Sequence, residues 1–121
     1  MTISQAIDQV DRLKFNACPR EDKLGWLLQL ERQLRCQILD AHEPGLPAGE
    51  AGEDSPPDTL LLAPEPFDRV YTAWLEAMLD LYNGEIERYN AAIDIFNREY
   101  AAFAAWYTRH FKPRHSGSWR G

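Results

Sequence analysis

Ile86, Tyr89, Ile93, Phe96, Tyr100, Phe103 and Tyr107 stand at steps of 3, 4, 3, 4, 3 and 4. That alternation averages about 3.5 residues, the period of a helical seam that keeps facing a partner helix. A strand would repeat every second residue and cannot produce it. Glu85 to Phe111 therefore reads as one helix, roughly 40 Å long at a rise of about 1.5 Å per residue. Ala91, Ala92, Ala101, Ala102, Ala104 and Ala105 flank the seam and admit close packing, and Pro113 ends it. An oily ridge of this length must be covered by other helices. The tyrosines want a partner or water for their hydroxyls, so two covers stay open: an intramolecular core alone, or a core plus a subunit interface. Tyr89, Phe96, Tyr100, Phe103 and Tyr107 are the candidate interface residues on this helix.

Three further helices precede it. Ile3, Ile7, Val10 and Leu13 share one face of a first helix that Thr2 or Ser4 can cap. "FNACPRED" interrupts the pattern, and Pro19 suits the first turn of a second helix, followed there by Glu21 and Asp22. That helix is expected over Pro19–Ala41 on the stripe Leu24, Leu27, Leu28, Leu34 and Ile38, with Gly25 a weak spot that would permit close approach of another helix. The third is expected to start at Glu65–Phe67 with Pro66 in its first turn and carries Phe67, Val70, Tyr71, Trp74, Leu75, Met78, Leu79 and Tyr82. Asn83-Gly84 supplies a stop through a left-handed glycine, favoured over a bend in one continuous helix. The expected fold is all-α, with about four helices. The last two form a long antiparallel hairpin, and the first two pack on it.

Between helices two and three the regime changes. Residues 43–66 hold six prolines and three glycines, which exclude a continuous helix. Six acids, Glu43, Glu50, Glu53, Asp54, Asp58 and Glu65, fall there, with no Lys or Arg between Arg35 and Arg69. The expectation is a long acidic exposed loop over 43–64 with a mobile centre. Leu60, Leu61 and Leu62 are its exception and should dock on the chain's own core or on a neighbouring subunit. The organisation is thus a single helical domain over 1–112 and a flexible basic tail over 113–121.

The chemistry-bearing residues form no recognisable site. His42, His110 and His115 have no helical ligand partner and are expected to be exposed. No phosphate loop and no nucleophile motif occurs, and acid pairs such as Asp94/Glu99 read as solvated surface. No catalytic, cofactor-binding or metal-binding residue is assigned, and the chain is expected not to be an enzyme. Cys18 and Cys36 fit no zinc or CxxC pattern and read as two thiols in a reducing compartment. The N-terminus lacks the pattern of a signal peptide, and no apolar run is long enough to span a membrane.

Charge is polarised along the chain. The net charge is −6, which argues against a general nucleic-acid binder. Yet no acid follows Glu99, while Arg109, Lys112, Arg114 and Arg120 do. Three accounts fit: cations meeting the dipole of a helix C-terminus, head-to-tail contact between copies with opposite charges at opposite ends, or a basic tail touching DNA phosphates.

Three stretches resemble a family of small proteins encoded in the structural gene cluster of tailed phages and prophages of Gram-positive hosts. They are "MTISQAIDQVDRLK", "DKLGWLLQLERQL" and, most specifically, "LLAPEPFDRVYTAWLEAMLDLYNGEIERYNAAIDIFN". The chain departs from the family at "FNACPRED" and in its tail. The family looks like the head–tail connector, or adaptor, proteins. The resemblance implies a virion structural protein that assembles as a ring beneath the portal for DNA passage. The implied partners are the portal and other connector and tail proteins, with self-association in the assembled state, no specific nucleic acid and no membrane. It would sit in the host cytoplasm during assembly and then in the virion. No catalytic residue or cofactor comes with the family. The alternative is a helical protein-binding or regulatory module of prophage origin, holding a partner helix between helices three and four.

Overall fold

The computed structural model describes residues 1–42 and 51–112. Among them the fold is all-helical: α1 (Ile3–Leu13), α2 (Arg20–Leu34), α3 (Arg69–Tyr82) and α4 (Ile86–His110). The expected tail 113–121, with Arg114, His115 and Arg120, lies outside the described residues, as do Glu43 and Glu50 of the acidic loop.

Thr2 caps α1 through a reciprocal pair: its hydroxyl accepts the Gln5 amide at 3.1 Å, and the Gln5 side chain accepts the Thr2 amide at 2.9 Å. Two donors that no helical turn could satisfy are paired in this way. Ile3, Ala6, Ile7 and Val10 are buried, but Leu13 is 60% exposed. The apolar stripe runs one turn beyond the surface that covers it, because the chain leaves the helix there with Lys14 extended.

Pro19 stands at the N-cap of α2, its carbonyl accepting from the Asp22 and Lys23 amides. The helix does not run unchanged to Ala41 as its periodicity suggests. Arg35–Leu39 form a π-helical turn, in which the Asp40 amide donates to the Arg35 carbonyl at 2.8 Å. The extra residue per turn rotates the chain beyond it and brings Ile38, Leu39 and His42 into buried positions.

α3 begins later than the sequence suggests. The Glu65–Pro66 peptide is cis, and the Phe67 amide closes a turn on the Pro64 carbonyl at 2.7 Å. Pro66 therefore belongs to the connection and not to the first helical turn. At the other end Gly84 takes φ of 73°, and the Glu85 amide reaches back to the Asp80 carbonyl at 2.8 Å, closing α3 with a left-handed cap. The break between α3 and α4 is real.

α3 is the centre of the assembly. It packs on α1, α2 and α4, whereas α4 packs chiefly on α3, with a smaller contact to the π turn. Ile7, Val10, Leu27, Leu30, Leu34, Val70, Tyr71, Leu75, Leu79, Phe103 and Tyr107 are its largest fully buried side chains. The first two helices pack on the hairpin through α3, as expected. Gly25 is exposed, and nothing lies within 4 Å of where its Cβ would be, so no helix exploits it.

Candidate interaction surfaces

The seam of α4 divides between two roles. Phe96, Phe103 and Tyr107 are buried inside the chain's own core. Phe96 packs on Trp74 at 5.0 Å between ring centres, Phe103 on Phe67 at 5.8 Å and Tyr107 edge-on to His42 at 4.9 Å. These three proposed interface residues are therefore not surface at all: Trp74 of α3, Phe67 just before it and His42 just after the π turn pack against them. Tyr100 is half-buried and its hydroxyl donates to the Gln37 side chain. Burial raises its hydroxyl above the ordinary range, with Gln33 pulling it back. Tyr89 is half-buried, and Ile86 at the start of the seam is 54% exposed. With Tyr82 (53%) and Leu81 (45%), Ile86 leaves the α3–α4 turn unusually apolar.

The segment Leu60–Leu62 splits in the same way. Its described surroundings are hydrogen-bonded to the N-terminus of the chain. The Ile3 amide donates to the Thr59 carbonyl, the Ser4 amide to Pro57 and the Leu61 amide to Met1, and Thr2 and Leu60 form an isolated antiparallel bridge. Alternation along this strap buries Leu61 and leaves Leu60 72% exposed. Leu62 is half-buried, and its amide donates to Glu31 Oε2 at 3.0 Å. Glu31 Oε1 accepts the Tyr71 hydroxyl at 2.5 Å, and the Tyr71 oxygen accepts the Ala63 amide at 2.7 Å. One buried carboxylate and one buried phenol thus clasp the strap to α2 and α3. Burial pushes Glu31 above the usual carboxylate range, although the bonds from Tyr71 and Leu62 oppose it. Burial and the neighbouring carboxylate likewise push Tyr71 far up. The sequence held a signal for this clasp, since Glu31 falls at helical spacing on the Leu27/Leu34 face.

His42 contradicts the expected exposure: it is 7% exposed. Its Nδ1 lies 2.6 Å from the Ile38 carbonyl, which can only accept, so Nδ1 carries the proton, while Nε2 meets the Thr108 hydroxyl at 3.1 Å. The π turn places it there. His110 is exposed, as expected, against the Trp106 ring at 4.7 Å. Arg109 and Lys112 are exposed at the same end of α4, and Glu53, Asp54 and Glu65 are exposed on the described part of the loop, where Asp58 is also exposed.

A second apolar surface was not legible beforehand. The "KFNAC" connection carries Phe15 at 101% exposure, beside Leu13, over an open depression of about 520 Å³ lined also by Lys14, Glu76, Asp80, Asn83, Glu85 and Arg88. Lys14 Nζ is 2.7 Å from Asp80 Oδ1, and Arg88 pairs with Glu85 at 3.0 Å.

Among the described residues no group of His, Cys, Asp and Glu side chains is placed to hold a metal ion, and no helix is long and apolar enough to cross a membrane. Cys18 is buried and Cys36 exposed, both unpaired by disulfide. Compared with protein-family models, with curated proteins and with solved structures, the chain finds no match.

Proposed function

We propose that the chain is a structural subunit of a phage virion, a head–tail connector that joins a ring beneath the portal and contributes no catalysis. The resemblance of residues 1–14, 22–34 and 61–97 to that family supports the reading. These segments are also the ones locked together in the fold, through Glu31 with Tyr71 and Leu62 and through Lys14 with Asp80. The observation that carries it furthest is the pattern of solvated apolar side chains on rigid supports: Phe15, Leu60, Tyr82 and Ile86. Surfaces of this kind suit contacts with a portal or with neighbouring subunits. Phe96, Phe103 and Tyr107 hold the scaffold together, whereas Leu60 and Tyr89 remain available to partners.

The test is mass spectrometry of gradient-purified particles from the phage or prophage that encodes the chain. A stoichiometric component of tailed particles is expected. Its absence from particles, with abundance in the host lysate, would overturn the reading in favour of a regulatory helical module.

A further inference from the structure

Phe15 has the exposure of an unfolded residue and the backbone of a folded one. On one side Lys14 is fixed by its amide to the Val10 carbonyl at 2.9 Å and by its ammonium to Asp80 at 2.7 Å. On the other side Asn16 donates to Asp11 and to the Lys14 carbonyl, and its Oδ1 accepts the Cys18 amide and the Lys23 ammonium. Lys23 is itself buried, 2.6 Å from Asp11. The ring is therefore held out into water by a braced connection. Such an aromatic has already lost the chain entropy that binding would otherwise cost, and it has apolar area still to bury. That combination is characteristic of an interface anchor.

Its surroundings state what kind of partner it fits. In the depression below it, Lys14 matches Asp80 and Arg88 matches Glu85, which leaves Glu76 as the carboxylate without an ion pair among the described residues. A complementary surface would be aromatic or aliphatic with cations at its rim. The chain carries one at the far end of α4, 25 residues away, or roughly 37 Å at the usual helical rise. There Trp106 and Phe111 are half-buried with ring centres 6.3 Å apart, Phe111 lies 4.5 Å from Tyr107, and Arg109, His110 and Lys112 are exposed around them. No carboxylate pairs with Arg109 or Lys112 among the described residues.

We infer that Phe15 anchors a head-to-tail contact between two copies of this chain, its ring packing on the Trp106–Phe111 cluster of the second copy while Glu76 faces that copy's Arg109 and Lys112. Because the two surfaces sit at opposite ends of α4, the contact is heterologous. Repeated, it closes into a ring or continues as a filament, according to the rotation between copies. The contact supplies a subunit interface for the connector reading but does not depend on it.

The experiment uses the full chain alone, with a photoreactive benzoylphenylalanine in place of Phe15. Irradiation at high protein concentration is expected to join position 15 of one copy to residues 106–112 of another. Sedimentation velocity is expected to show concentration-dependent association that Phe15→Ala weakens about tenfold or more and that salt weakens too. Phe15→Ala removes no buried atom, so its circular dichroism and melting temperature should match the parent. Glu76→Lys and the double variant Arg109→Glu/Lys112→Glu should each stay monomeric, and their equimolar mixture should regain the association of the parent, with the two variants alternating. Crosslinks confined to one copy or to another surface, association unaffected by Phe15→Ala, or a monomer at every concentration would each overturn the proposal. A monomer alone that still binds portal rings would sink this contact and leave the connector reading standing.

Discussion

The Tyr71 hydroxyl donates to Glu31 Oε1 at 2.5 Å across the α2–α3 interface, with both side chains buried. Through this pair the bundle holds a segment that belongs to no helix, because Leu62 and Ala63 each give their amide to it. Glu31→Ala leaves the Leu62 amide and the phenol without acceptors in a dry environment. The expected loss is about 2–4 kcal/mol of unfolding free energy. Tyr71→Phe, which orphans the Ala63 amide, should cost about 1–3 kcal/mol. Urea unfolding measures both. Hydrogen exchange at Leu62 and Ala63 should accelerate in each variant before the core amides do.

The same carboxyl fixes a pH dependence. Its native proton affinity is raised above the ordinary glutamate value of 4.5, by burial first. Between that value and the raised native one, the folded chain binds more protons than the unfolded chain. Glu31 therefore adds stability as pH falls through this window, and the gain is complete below the ordinary value. Asp11 behaves oppositely. Burial opposes its ionisation, but the bonds from Lys23 and Asn16 prevail and lower it from 3.8. Its contribution is present above the ordinary value and is lost as pH falls through the native one. Acidification from neutral pH towards the ordinary value of 4.5 should thus favour the parent over Glu31→Gln. Asp11→Asn should lose its disadvantage only at lower pH. Urea titrations across the range give both signs.

Two glycines should respond in opposite directions. Gly25 sits within α2 with open space around a Cβ, so Gly25→Ala should stabilise by about 0.5–1 kcal/mol. Gly84 holds φ of 73° at the α3 cap, so Gly84→Ala should destabilise by about 1 kcal/mol. Thermal unfolding of both variants checks the pair.

The helices were legible because their apolar spacing is dense, and Gly84 marked the break as expected. What the spacing could not say is how far each cover extends. The seam from Ile86 to Tyr107 is regular throughout, yet its final turns are sealed by Phe67, His42 and the π turn, while Ile86 stays 54% exposed. Periodicity reports a face, not its occupant. The π turn carries no breaker residue, so the burial of His42 that results from it was invisible. Glu31 was detectable as an acid on a leucine face, but its partners, 31 and 40 residues distant, were not. Phe15 falls outside every period, so neither its exposure nor its bracing by Lys14 and Asn16 could be anticipated.

Light scattering of purified portal rings titrated with the chain tests the connector proposal most directly. It predicts a mass increase that saturates at a fixed number of chains per ring, and a smaller increase with Phe15→Ala or Leu60→Asp. Rings whose mass stays constant through a large excess of folded chain would contradict it.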